Sequence, residues 1–112
     1  MKKSSSTNAK TQLPARYQLF AESYPTVMQA LEALGDATQS AGPLDPKTRA
    51  LVKLAIAIGA WREGAVHSHT RRALEAGCTP EELRHVGVLA ITTIGFPSTM
   101  AAMSWVEDIL RK

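Results

Sequence analysis

Residues 44–86 read LDPKTRALVKLAIAIGAWREGAVHSHTRRALEAGCTPEELRHV, and the punctuation of this stretch decides the fold. Asp45-Pro46 supplies an N-cap and then a first helical residue that lacks only an N–H the helix start would leave orphaned. The helix that follows, from Pro46 to about Gly59 or Trp61, is apolar on more than one face, through Leu51, Val52, Leu54, Ala55, Ile56 and Ile58. A helix apolar nearly all round is a central one, buried by its neighbours or by another subunit. The next helix runs from about Trp61 to Ala76 and stops at Gly77, which is placed for a left-handed C-cap. Thr79-Pro80-Glu81-Glu82 then forms a full capping box: Thr79 caps, Pro80 takes the first position, and Glu82 reaches back from the third.

The same signals extend to both sides. Upstream, Leu13-Pro14 opens a short helix toward Ser23, and Tyr24-Pro25 interrupts it. Thr26 to about Ser40 makes another, with Val27, Leu31, Leu34 and Thr38 on one stripe, until Gly42-Pro43 stops it. Downstream, one helix reaches from Pro80 to about Gly95 and the last from Pro97 to Leu110. No segment alternates with a period of two, so no sheet is expected. The expectation is an all-α chain of six helices with a central hairpin: one domain over residues 13–112, behind a disordered tail over residues 1–12.

Composition bounds what such a chain can do. With 112 residues, 45% of them hydrophobic and 21% charged, it has the makeup of one globular domain. Only six aromatic side chains occur, so Ala, Leu, Ile, Val and Met must build the core. Lys2, Lys3 and Lys10 account for the net charge of +3, because the other 102 residues carry ten basic and ten acidic groups. The basic pI therefore belongs to the tail, and no nucleic-acid partner is expected. Val86 to Val106 is uncharged over 21 residues, but Gly95-Phe96-Pro97 divides it into pieces too short to span a bilayer. No membrane partner is expected, and the cytoplasm is the expected compartment. Small residues at the helix contacts give a thin core, so the apolar third helix and Met100, Ala101, Ala102 and Met103 of the sixth are expected to bury surface between subunits of a homo-oligomer.

The polar residues that stand out lie in WREGAVHSHTRR, residues 61–72. His67 and His69 lie two apart, about 200° around a helix axis, and cannot grip one ion. Glu63 and His67, four apart, share a face and offer a hydrogen bond or two metal ligands; with no third ligand at a local spacing, no metal site is expected. His69 lies on a stripe with Ala65 and Arg62. Such a stripe is either a histidine packed at a helix interface, or a neutral imidazole available as a general base beside a guanidinium that holds an anion. Trp61 or a partner subunit would close a pocket there. Cys78, the only cysteine, excludes an internal dithiol; its place at the start of a helix could lower its pKa, but with no resolving Cys and no local His as base a structural thiol is expected.

Taken together, the LDPKTR opening, the histidine followed eight residues later by Gly77, and the Thr79-Pro80-Glu81-Glu82-Leu83 restart resemble the central hairpin of the carboxymuconolactone decarboxylase family, which includes alkylhydroperoxidase D. The resemblance implies that family's all-α fold and a trimer or hexamer. In the family's peroxidase branch a Cys-x-x-Cys is followed four residues later by His, with a Glu in the preceding helix. Those positions fall here on Arg62, Ala65, His69 and Ala50, so only the histidine is kept. Cys78 lies nine residues beyond His69, about 13 Å along the axis, and is no substitute. The decarboxylase branch also lacks the cysteines and carries an Arg and a His about this segment, which Arg62 and His69 resemble, although it has Glu where Ala65 stands. The resemblance thus implies three readings. One is an oligomeric binding or scaffold protein without the redox dithiol. Another is a decarboxylase or lyase acting on a small anion, with His69 catalytic and Arg62 and Ala65 binding. The third is peroxidase activity as in the family. No cofactor is expected for any of them.

Overall fold

The computed structural model describes residues 14–112, so the tail expected over residues 1–12 lies outside the described residues. Six α-helices follow one another: α1 (Ala15–Ser23), α2 (Pro25–Gln39), α3 (Pro46–Ala60), α4 (Glu63–Glu75), α5 (Pro80–Ile94) and α6 (Phe96–Leu110). No strand occurs among the described residues.

The expected caps form. The Asp45 carboxylate accepts the Thr48 N–H at 2.8 Å, and both halves of the Thr79–Glu82 box are present, at 3.1 and 2.8 Å. At the end of α4, Gly77 has φ +95°; its N–H donates to Leu74 and that of Cys78 to Ala73. This is the paired closure of a Schellman motif, at the glycine that the sequence marks for it. The start of α4 differs from expectation. Trp61, a bulky residue, adopts the left-handed conformation (φ 59°, ψ 45°), and Arg62 is extended, so the helix begins at Glu63.

Within the span read as one domain, the chain groups into two compact units that divide after Leu44. In the first, α1 packs on α2, and the Phe20 and Tyr24 rings lie 5.2 Å apart. Met28 is the one described side chain of this unit that is buried; the Val27, Leu31 and Leu34 stripe is exposed.

The second unit, Asp45–Lys112, is a ring of four helices. α3 packs against α4 and α5, and α6 packs against the same two, while α4 and α5 touch only lightly across the diagonal. Leu54, Ala57 and Ile58 of α3, Val66 and Ala73 of α4, Cys78, Leu83 of α5, and Ala102 and Val106 of α6 form the core. Thr70 and Thr99 are fully buried, and each hydroxyl donates to the carbonyl one turn back, Val66 at 2.7 Å and Gly95 at 2.8 Å. Two of the four residues expected between subunits face inward instead. Ala102 is part of this core, and Met103 lies over Gly87, where an added Cβ would stand 2.8 Å from its Cγ. Met100 remains exposed, as do Val52 and Ile56 on α3. The uncharged segment breaks at Gly95 (φ +91°), and no helix among the described residues is long and apolar enough to cross a membrane.

Candidate functional site

Helix α4 turns Val66, Thr70 and Ala73 into the core, and its neighbours in the ring are α3 and α6. Residues on the two flanks of that buried stripe therefore meet different helices. His69 is half-buried on one flank. Burial, followed by the positive charges of Lys53 on α3 and Arg72 one turn along α4, holds its pKa below the usual histidine value. An imidazole kept neutral among cations is a proton acceptor in surroundings that favour an anion.

The remaining residues of the expected stripe are placed differently. Ala65 is half-buried and packs against the core, and so does Ala50. Arg62 is exposed, sits in the extended residue ahead of α4, and makes no side-chain hydrogen bond or ion pair with a described residue. The cations whose charge reaches His69 are Lys53 and Arg72, which sequence reasoning did not single out. Arg72 is legible from its i+3 spacing; Lys53 becomes so only once α3 and α4 are known to pair. Trp61, expected to close a pocket over this stripe, is tied to α6: its indole N–H donates to the Ser98 carbonyl at 3.0 Å, and its ring lies 5.5 Å from that of Trp105.

On the other flank, His67 Nε2 donates to Asp108 Oδ2 of α6 at 3.0 Å. Glu63 joins them, and one ligand-type atom from each of Glu63, His67 and Asp108 lies within 4.8 Å of the other two. Sequence reasoning paired Glu63 with His67 and missed Asp108, because no local spacing connects it to them. The two histidines serve separate faces, as their spacing requires.

Cys78 takes the structural role expected of it, although its pKa moves opposite to the direction that a helix start alone would give. It is buried, its thiol donates to the Lys47 carbonyl at 3.8 Å, and burial together with the negative charge of Glu82 pushes its pKa up. Burial is the largest cause of that rise. A thiol held protonated is a poor nucleophile.

Among known proteins, the family model described as the carboxymuconolactone decarboxylase family matches residues 25–108. An uncharacterized protein of Haemophilus influenzae is 40% identical over 50 residues, which are 45% of this chain and 44% of that protein. The chain is 29% identical over 89 residues to the uncharacterized protein MJ0742 of Methanocaldococcus jannaschii, covering 79% of this chain and 86% of the relative. This chain thus aligns with less than half of the Haemophilus protein and most of the archaeal one. No solved structure matches.

Proposed function

The chain belongs to the carboxymuconolactone decarboxylase family, and we propose that it is an oligomeric, cysteine-independent member that binds a small carboxylate at the His69 flank of α4. The observation that carries this reading is His69 itself: half-buried rather than sealed, and kept neutral by burial and by Lys53 and Arg72. A carboxylate there neutralises the cations and gives the imidazole a partner for a proton, the arrangement that acid–base or decarboxylating chemistry on such a substrate would use. Arg62, exposed and without a described side-chain partner, would close its guanidinium on the far end of a dicarboxylate. The peroxidase reading finds little support, since Cys78 is alone, buried and protonated.

Calorimetric titration with short dicarboxylates, malonate to adipate, tests this. Arg62→Ala and Lys53→Ala are each expected to weaken binding roughly ten- to a hundredfold, or about 1.4–2.8 kcal/mol. Binding near pH 6 should take up a proton, because an anion raises the histidine pKa, and His69→Gln should remove that uptake while weakening affinity less. A panel in which nothing binds at millimolar concentration overturns the proposal. Thiol-dependent hydroperoxide turnover that vanishes in Cys78→Ser does so equally.

A further inference from the structure

We infer that Glu63, His67 and Asp108 form a divalent-metal site that clips α4 to α6, on the flank of α4 opposite the proposed carboxylate site. Glu63 and His67 lie one turn apart on α4, and Asp108 is brought to them by the packing of α6. The three donors are one imidazole nitrogen and two carboxylates, a mixed N/O set suited to Zn²⁺ and its first-row neighbours rather than to Mg²⁺ or Ca²⁺, which favour all-oxygen shells.

The spacing fits such an ion. Ligand atoms about 2.0–2.2 Å from one tetrahedral Zn²⁺ stand about 3.3–3.6 Å from each other. His67 Nε2 and Asp108 Oδ2 are already 3.0 Å apart, and no pair in the cluster exceeds 4.8 Å. Glu63 and Asp108 are exposed, so their side chains can turn through the remaining ångström without disturbing the core.

Charge points the same way. Among the described residues no Lys or Arg forms an ion pair with Glu63 or Asp108, while the nearby Glu107 is paired with two arginines. Two neighbouring carboxylates that no described Lys or Arg neutralises are a place where a divalent cation would be held. Nε2, which now donates to Asp108, is the atom that would bind the ion, so the ring switches tautomer and carries its proton on Nδ1 as the metal enters. Solvent on the exposed side supplies the remaining ligand.

The test uses the full chain, stripped of metal by chelation, with Zn²⁺ as probe and Mg²⁺ as comparison. Zn²⁺ at about a hundred times its Kd should raise Tm by about 5 °C or more, as expected for an ion that binds only the folded state of so small a protein. Mg²⁺ should raise it far less. Glu63→Gln, His67→Gln and Asp108→Asn should each weaken Zn²⁺ binding by about tenfold or more, whereas His85→Gln, on α5, should not. Co²⁺ should give the visible absorption of a site with nitrogen and oxygen ligands, and Asp108→Asn should abolish it. If the Asp108→Asn substitution lowers Tm by the same amount with and without Zn²⁺, the cluster is an interhelical hydrogen bond only and the inference fails. It also fails if His85→Gln removes Zn²⁺ binding while the three cluster variants keep it. Because Lys53, Arg62 and His69 take no part, carboxylate binding can fail without affecting this outcome.

Discussion

Among the described side chains, Glu107 is held by two arginines at once. Arg84 grips it in a two-pronged contact, Nε to Oε2 at 2.7 Å and Nη2 to Oε1 at 3.1 Å, and Arg111 one turn later adds Nε to Oε1 at 3.1 Å. The Arg84 hydrogen bonds, helped by Arg111, outweigh the cost of partial burial and lower its pKa from 4.5 to about 2. A carboxylate whose folded pKa is depressed contributes stability that is fully present above the unfolded value and lost as pH falls toward the folded one. Glu107→Gln should therefore cost about 1 kcal/mol near neutrality, the upper part of the range for partly exposed ion pairs. That difference should shrink as pH drops through 4.5 toward 2, because wild type alone loses the contribution there. Urea midpoints measured across that interval, with unchanged m-values, check it; a difference that stays constant with pH would assign the effect to packing. Trp61 is the other residue under constraint. A left-handed conformation costs a non-glycine residue roughly 1–2 kcal/mol, and the Ser98 hydrogen bond and Trp105 contact offset it.

Between elements, α5 and α6 approach closely at Gly87. The glycine is buried, and a Cβ there would meet Met103 Cγ at 2.8 Å, Sδ at 3.0 Å and Cε at 3.2 Å. Gly87→Ala would gain about 1 kcal/mol of helix propensity but force the whole Met103 side chain to a new rotamer, at about 1–3 kcal/mol. A net loss of stability is expected, and Met103→Ala should relieve part of it in the double variant; strictly additive effects would show that the two do not touch. The elements were legible in the sequence because what delimits them is local. Asp45 reaches Thr48, Thr79 reaches Glu82, and the Gly77 closure joins Cys78 to Ala73, all within five positions. What escaped the sequence depends on distant partners. The left-handed turn at Trp61 rests on Ser98, 37 residues away, and the third member of the Glu63–His67 cluster is 41 residues beyond His67. The half of the candidate site on one helix could be read from spacing; Lys53 and Asp108, supplied by the neighbours of α4, could not.

For the molecule as a whole, the question is what covers its apolar surface. Val27, Leu31 and Leu34 form a stripe along α2 whose members are each at least 53% exposed, in a unit whose one buried described side chain is Met28. A hairpin of two helices has too little interior to stabilise such a stripe by itself. In the four-helix unit, α3 buries Leu54, Ala57 and Ile58 but leaves Val52 and Ile56 in solvent, and Val88, Leu89, Phe96 and Met100 are likewise exposed. So many large apolar residues exposed on a chain of 12.1 kDa are what an oligomer would cover. The trimer or hexamer that the family resemblance implies would do so. Light scattering at micromolar concentration should report three or six times the chain mass. Ile56→Lys, which places a charge on the outward face of α3 and leaves Leu54 and Ile58 in the core, should dissociate the assembly while circular dichroism still reports a helical fold. Ala102→Ser, inside the subunit, should lower Tm and leave the assembly intact. A monomer at the chain mass in the unmutated protein would refute the assembly, and an Ile56→Lys variant that keeps the full mass would show that α3 lies outside the interface.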